Sequence, residues 1–228
     1  MQYCQAVKQL TTTSYAVLGL LALRPYSAYE LSQQMQRSMA FIWPRAERAI
    51  YDEPKTLVEH GLARASDAPT GKRPRTVYRI TPAGRRALAR WLGEGSAAPA
   101  FESEAMVRAT FAEFGSKEGL LATIASLRAH AEQLFAGAET VVTSYLEDRA
   151  PFPERAHIVA LNGRFILDYI AMVRRWTDWA TDVVTQWDDV TTPEAWPAAI
   201  EEFRRAYQAT RDIGGDLGGD LGGAADRS

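Results

Sequence analysis

Cysteine and histidine are scarce in this chain of 228 residues, which has one cysteine, Cys4, and three histidines. A single cysteine cannot form a disulfide within the chain, so a disulfide framework is excluded. His60, His130 and His157 lie far apart without metal-ligand spacing, so no metal site is predicted. The motifs GxSxG and HExxH and a glycine-rich phosphate loop are missing as well, so we expect no catalytic residues, no cofactor and no enzyme activity.

Long hydrophobic runs are also missing. The apolar run from Ala16 to Leu23 is too short to span a bilayer, and no signal-type segment precedes it. We therefore expect a cytoplasmic protein with no membrane partner. Hydrophobic residues nevertheless make up 46% of the chain, which is enough for a folded core.

Charge is unevenly distributed, although the net charge of the chain is only −2. Residues 1–92 contain 14 lysines and arginines against six acidic residues, a net charge of +8, whereas residues 93–228 carry −10. A basic region meets a polyanion favourably, and an acidic one is repelled from it. The distribution predicts nucleic-acid contact by the first part of the chain.

A helix is predicted from Ala46 to His60, because apolar and polar residues separate onto two sides at helical spacing. Gly61 follows as a left-handed stop. The inward residues are Ala46, Ile50, Leu57 and Val58, and the outward residues are Arg45, Arg48, Tyr51, Asp52 and Lys55. The outward side has the composition of a face that enters a DNA major groove.

A hairpin is predicted after this helix, with strands at Leu62 to Ala65 and Thr76 to Ile80. The loop between them contains the turn-forming residues Asp67, Pro69, Gly71 and Pro74. Its tip carries Lys72, Arg73 and Arg75. A cationic loop beside an exposed helix suits contact with phosphates or a minor groove, and a solvated turn is the alternative.

Four short motifs occur in order within roughly the first ninety residues. They are Tyr15-Ala-Val-Leu-Gly-Leu-Leu, Tyr29-Glu-Leu, Ile50-Tyr51 followed by Gly61-Leu62, and Tyr78-Arg79-Ile80-Thr81-Pro82-Ala83-Gly84-Arg85. Together they resemble the DNA-binding domain of PadR-family transcriptional regulators. The helical remainder is similar to the Vir-like C-terminal domain of that family, with weaker motifs.

The resemblance implies a dimeric repressor with a winged helix-turn-helix, whose third helix reads the major groove of an operator in double-stranded DNA. We expect Arg48, Tyr51 and Lys55 to contact the groove. Lys72, Arg73 and Arg75 are expected on the backbone or minor groove beside the wing. The family usually has leucine where this chain has Pro54, and proline inside a helix removes a hydrogen bond, so the pattern predicts a kink or a different helix start.

The C-terminal part is predicted to be helical throughout, with long antiparallel helices. After a possible cap at Ser116, apolar residues recur at steps of four and three up to Tyr145, which is typical of a coiled-coil seam. A second long helix is expected from about Glu154 to Trp187, and a last one opens at Thr192. We expect a homodimer with these interface residues: Leu120, Ile124, Leu127, Leu134 and Val141.

Aromatic residues are frequent in the same region and predict an effector pocket. Phe165, Tyr169, Trp176 and Trp179 could stack a planar small molecule, and the PadR resemblance implies that some members release DNA on binding aromatic compounds. Aromatic residues at helical spacing are more often plain core, and this interpretation stays open.

The predicted fold class is mainly α: a winged helix-turn-helix with a small β-hairpin wing, followed by a helical dimerisation domain. The domains are expected at residues 1–92 and 101–212, with a linker at 93–100 and a disordered glycine-rich tail at 213–228. Two other functions remain open. One is a winged-helix module that binds protein, and the other is a ligand-binding helical protein that does not bind an operator.

Overall fold

A computed structural model describes residues 9–44, 47–68, 75–191 and 196–218. The chain divides into two compact units, Met1–Ala100 and Phe101–Ser228. Helices dominate both, and the described strands form one antiparallel hairpin, so the expected fold class is confirmed.

Two capped helices open the N-terminal unit. Helix α1 (Thr12–Leu23) begins after Thr11, which forms a capping box with Ser14. Helix α2 (Ala28–Ser38) begins at Ser27, whose hydroxyl accepts from the Glu30 amide while the Glu30 carboxylate accepts from the Ser27 amide. The two contacts form a second capping box, which satisfies amide groups at the start of the helix.

Helix α3 (Glu47–Glu59) ends where the sequence indicated. Gly61 has a φ of 69°, a left-handed conformation, and Leu62 N–H donates to the Leu57 carbonyl at 2.8 Å. This pattern satisfies the last carbonyls of the helix and turns the chain into the hairpin. Strands β1 (Ala63–Ala68) and β2 (Arg75–Ile80) follow, so Asp67, expected in the loop, lies in β1 opposite Thr76.

Helix α4 (Pro82–Leu92) starts from a Thr81 cap with Pro82 in its first turn. Gly84 lies against the turn after α3, because a Cβ added there would come within 2.2 Å of the Leu62 carbonyl oxygen. Leu92, the last residue of the helix, is exposed and does not pack against the core. The stacked rings of Tyr15 and Trp91, with centroids 4.9 Å apart, join α1 to α4 instead.

One apolar core holds the N-terminal unit together. It contains residues from every helix and both strands of the unit, each at most 9% exposed. The segment before α3 joins this core through Trp43, whose indole N–H donates to Thr13 Oγ1 at 3.0 Å. The buried residues are Val17, Leu18, Leu20, Leu21, Tyr26, Leu31, Met35, Ile50, Leu57, Leu62, Ala63, Tyr78 and Ala87.

The C-terminal unit consists of helices and short 3-10 turns in the described residues. Ser116 caps α6, as its position indicated. The helices are α5 (Glu104–Thr110), α6 (Lys117–Leu146), α7 (Ala156–Thr185) and α8 (Trp196–Gly218). The residues expected to open the last helix, 192–194, lie outside the described residues. Helix α8 runs six residues into the segment expected to be a disordered tail, because scattered glycines weaken a helix by only about 1 kcal/mol each.

Helices α6 and α7 pack antiparallel along their length. Leu120 and Ile124 near the start of α6 pack with Ala180 and Val184 near the end of α7, and Ala131 packs with Ile170 and Val173. Polar contacts cross the same boundary. Glu132 accepts from Arg128 at 2.8 Å and from Arg174 Nε at 3.0 Å, and Arg128 also pairs with Asp178.

Helix α7 leaves an apolar stripe uncovered. Leu161, Phe165 and Met172 are exposed on it, and the helix with its preceding turn, Pro153–Thr185, is long and apolar enough to cross a membrane. An exposed ion pair, Arg164 with Asp168 at 2.7 Å, interrupts the stripe in mid-helix. Charged side chains are costly inside a bilayer, so the stripe is better suited to a protein partner than to lipid.

Candidate nucleic-acid interface

The outward face of α3 carries the residues expected to meet DNA. Arg48, Asp52 and Lys55 are exposed, and Tyr51 is half-buried between them. Lys55 Nζ lies 3.8 Å from Asp52 Oδ1. Both side chains are solvated, so this pair is weak and Lys55 can exchange it for a phosphate or a base edge. Arg45 and Ala46 fall outside the described residues.

The inward face of α3 contains a charged residue that the sequence did not single out. Glu53 is only 3% exposed, and its carboxylate accepts a hydrogen bond from Ser14 Oγ of α1 at 2.6 Å. A buried carboxylate is costly unless it is hydrogen-bonded, so this contact stabilises one placement of α3 against α1. Ser14 and Glu53 are 39 residues apart, and no sequence pattern connects them.

Pro54 lies within a helix that is continuous from Glu47 to Glu59. The alternative start expected from its position is therefore not found. Pro54 is fully buried, as are its neighbours Ile50 and Leu57 on the same helix. Burial of these apolar side chains keeps the segment helical, because tertiary packing can outweigh the local cost of proline.

The hairpin carries two arginines that no sequence motif indicated. Arg64 and Arg79 are directly opposite each other in the register of β1 and β2, and both are exposed. Among the residues that the structure describes, neither forms an ion pair. Like charges opposite each other across a strand pair are destabilising. An anion placed between them removes that cost, so this pair is a candidate phosphate contact beside α3.

Arg75, expected at the wing tip, is engaged within the unit. Its Nη2 lies 2.7 Å from Glu30 Oε2, the carboxylate that also caps α2. Burial of Glu30 opposes its ionisation, but hydrogen bonds from Ser27 and the charge of Arg75 outweigh this and hold the pKa of Glu30 below its usual range. Lys72 and Arg73 fall outside the described residues and stay predictions.

The residues expected to form an effector pocket separate into two groups. Trp176 and Trp179 line an apolar pocket of about 190 Å³ between α5, α6 and α7. Phe165 and Tyr169 do not line it. Phe165 is 65% exposed, and Tyr169 packs at the second cluster of α6 and α7.

The residues expected at a dimer interface mostly pack within their own chain. Leu120 and Ile124 are buried against α7, and Leu127 and Leu134 are half-buried beside Ala131, whereas Val141 is exposed. The apolar repeat of α6 therefore packs largely against α7 of the same chain. A helical hairpin and a dimer both require apolar residues at this spacing, so the repeat alone does not distinguish them. The interface assignment of Leu120 and Ile124 is corrected accordingly.

No metal centre is indicated in the parts of the chain that the structure describes, where no group of three or more histidine, cysteine and acidic side chains could hold an ion. Cys4 lies outside them. A helix with an exposed basic face, set beside an arginine-bearing hairpin on one helical core, defines the N-terminal unit as a winged helix-turn-helix.

Comparison with known sequences finds similarity in the N-terminal unit. Residues 17–90 match the model of the transcriptional regulator PadR-like family, which confirms the resemblance drawn from the sequence for this part of the chain. Members of this family are transcriptional regulators rather than enzymes. The probable transcriptional regulator Rv1176c of Mycobacterium tuberculosis is 32% identical over 81 residues. That match covers 35% of this chain and 43% of the relative, so the chain spans less than half of the curated relative's length.

Solved structures share the fold over more of the chain. The protein smu.1604c of Streptococcus mutans is 16% identical with a TM-score of 0.67, over 75% of this chain and 98% of that one. Bacillus subtilis PadR in complex with operator DNA is 22% identical with a TM-score of 0.62, over 76% and 99%. The same PadR in complex with p-coumaric acid is 18% identical with a TM-score of 0.53, over 77% and 100%.

Proposed function

We propose that this chain is a cytoplasmic, homodimeric repressor that binds operator DNA through the N-terminal unit and leaves it when a small aromatic effector binds. The observation that carries the proposal is the basic surface of that unit. Arg48 and Lys55 are exposed on α3, and the opposed pair Arg64 and Arg79 lies on the adjoining hairpin. The operator complex of Bacillus subtilis PadR, which shares the fold, supports the same use of this surface.

The two surfaces have different tasks in the proposed complex. Tyr51, Arg48 and Lys55 are placed on a helix that can enter a major groove and reach base edges. Arg64 and Arg79, with Lys72, Arg73 and Arg75, supply positive charge for the phosphate backbone. Arg75 can contact a phosphate only after its ion pair with Glu30 breaks. The capping contacts between Glu30 and Ser27 can persist when that ion pair is broken.

A second copy completes the proposed regulator. Two-fold dimers present two recognition helices about one DNA turn, roughly 34 Å, apart. The exposed stripe of Leu161, Phe165 and Met172 on α7 supports a surface for that pairing, since large apolar patches on soluble proteins mark contact sites.

Salt dependence of DNA binding tests the proposal. DNA selected from a random duplex pool is titrated with the wild type and with the Arg64→Ala/Arg79→Ala variant at several salt concentrations. Loss of two phosphate contacts per protomer should reduce the slope of log affinity against log salt by about 0.9 for each contact. The Arg204→Ala/Arg205→Ala variant is the control, because it removes the same charge from exposed positions of the C-terminal unit.

If the two variants give equal slopes of log affinity against log salt, the hairpin arginines do not contact DNA phosphates. Failure of the wild type to bind or enrich any duplex at low salt would contradict DNA binding altogether. That result would favour the alternative in which the winged helix binds protein.

A further inference from the structure

The pocket in the C-terminal unit has a lining unlike that expected for an anionic ligand. It lies between α5, α6 and α7, has a volume of about 190 Å³, and presents three indole rings. We call it the tryptophan pocket. It is lined by Ala109, Leu120, Ile124, Trp176, Trp179, Ala180, Val183, Val184 and Trp187.

The volume of the tryptophan pocket limits the size of what it can hold. An apolar protein cavity of about 150 Å³ holds one benzene molecule. At about 190 Å³, the tryptophan pocket has room for a single substituted ring or a compact fused pair of rings. The indole rings of Trp176 and Trp179, tilted by 56° at a centroid distance of 6.4 Å, offer faces and edges to such a ring.

The pocket lacks a partner for a carboxylate. Its lining side chains are aliphatic or indole, and none carries a charge. Two cations on α6 are engaged elsewhere: Lys117 donates to the carbonyls of Thr185, at 2.8 Å, and Trp187, while Arg128 pairs with Glu132 and Asp178. Moving an unpaired carboxylate from water against this apolar lining is therefore unfavourable.

We propose that the tryptophan pocket binds a neutral planar aromatic compound and rejects aromatic carboxylates. The inference deepens the proposed function by naming the chemical class of the effector, and it rests on that function for the link to DNA. It also separates this chain from Bacillus subtilis PadR, whose structure contains p-coumaric acid, a carboxylic acid. The same fold would then respond to a different class of compound.

Toluene and benzoate test the proposal as a matched pair, because they share one ring and differ in a methyl or a carboxylate group. The full chain is titrated with each by ligand-observed NMR, without DNA. Toluene should bind, and benzoate should bind at least about a hundredfold more weakly. Equal or tighter binding of benzoate, or no binding of toluene, would overturn the proposal.

Variants locate the binding. Ala109 is half-buried at the pocket, so Ala109→Phe places a ring in the space and should weaken toluene binding at least about tenfold. Trp179→Ala removes one aromatic wall from a partly exposed position and should weaken it about three- to tenfold. Trp196→Ala, the same change outside the pocket, should leave binding unaltered. Circular dichroism checks the folding of each variant, and toluene binding retained by both pocket variants would place the site elsewhere.

Failure of this inference is distinguishable from failure of the proposed function. The toluene titration needs no DNA, and the salt test needs no ligand. If toluene binds and the operator complex is unaffected by it, the pocket assignment stands but its role as the effector site is wrong.

Discussion

The two units of this protein differ in how far they bury their apolar side chains. The N-terminal unit gathers its apolar residues into one core, and three large hydrophobic side chains are exposed among its described residues: Tyr29, Ile42 and Leu92. The C-terminal unit has two small buried clusters and leaves 16 such side chains exposed in the described residues. The first unit can cover its own core, whereas the second requires something else to cover its surface.

The difference follows from topology. In the N-terminal unit, α1 is crossed by α3 and α4 and by β2, so most sides of it are covered. In the C-terminal unit, α6 and α7 cover each other along one side only. Helix α8 carries Trp196, Ile200, Phe203 and Tyr207 at helical spacing, and all four are exposed. A second copy is the partner that we propose for these surfaces.

The largest expected effect comes from placing charge on the uncovered stripe. Leu161 and Phe165 are 71% and 65% exposed, so Leu161→Asp/Phe165→Asp should leave the single chain folded. Burying either side chain in a dimer contributes about 1.5–3 kcal/mol, so the dimer dissociation constant should rise at least about a hundredfold. Sedimentation velocity measures it.

Asn162→Asp provides the control for that variant, because it adds charge at an exposed polar position between the two. It should remain a dimer. Unchanged sedimentation of the double variant would mean that the stripe on α7 is not the dimer surface.

Leucine-to-alanine changes compare how much one apolar side chain contributes to the stability of each unit, and we expect the next largest effect from them. Leu57 is fully buried in the N-terminal core, so Leu57→Ala should lower the free energy of unfolding by about 2–5 kcal/mol. Leu161→Ala should change it by less than about 0.5 kcal/mol in the monomer. Urea unfolding at concentrations where sedimentation detects a monomer gives both values. Similar losses at the two sites would contradict the contrast between the units.

The contact between Ser14 and Glu53 gives a smaller effect inside the covered unit. Ser14→Ala removes a hydrogen bond to a buried carboxylate and should cost about 1.5–3 kcal/mol of unfolding free energy. Because α3 then loses a fixed point against α1, DNA affinity should fall as well. Thr12→Ala, an exposed neighbour on α1, is the control and should change neither. Loss of stability with full DNA affinity would mean that the contact does not position α3.

The smallest effect concerns the ion network that joins α6 and α7. Hydrogen bonds from Arg174 and then Arg128 lower the pKa of Glu132 to about 2. A depressed pKa in the folded state adds stability above the ordinary carboxyl pKa, and this is lost as pH falls through about 2. Glu132→Gln should therefore melt below the wild type at pH 6, and the gap should close between pH 4.5 and 2.

Glu139→Gln, on an exposed part of α6, serves as the reference in those melts. It should follow the wild type at every pH. A gap for Glu132→Gln that is constant with pH would mean that the carboxylate charge is not what links the helices.

Local signals in the sequence predicted the N-terminal unit well. The stop at Gly61 and the hairpin that follows it depend on residues a few positions apart, and both are confirmed. Long-range contacts could not be read in this way. The hydrogen bond from Ser14 to Glu53 depends on how two distant segments pack together. The pairing of Arg64 with Arg79 depends on the register of the strands, which the loop length does not fix.

The long helices of the C-terminal unit were predicted correctly, but the repeat along α6 did not reveal its partner. Steps of four and three along α6 indicate that one side of the helix is covered, but not which helix covers it. Leu120 and Ile124 are buried by α7 of the same chain. The surface left for a partner is the exposed stripe of α7, where Leu161 and Phe165 lie.

The mass of the protein–DNA complex tests the central contrast most directly. Light scattering of the chain on a selected duplex should give two protomers per duplex, and the Leu161→Asp/Phe165→Asp variant should give weak binding of single protomers. One wild-type protomer bound tightly to one duplex would contradict the account, because DNA binding would then not require a dimer formed through the exposed surface of the C-terminal unit.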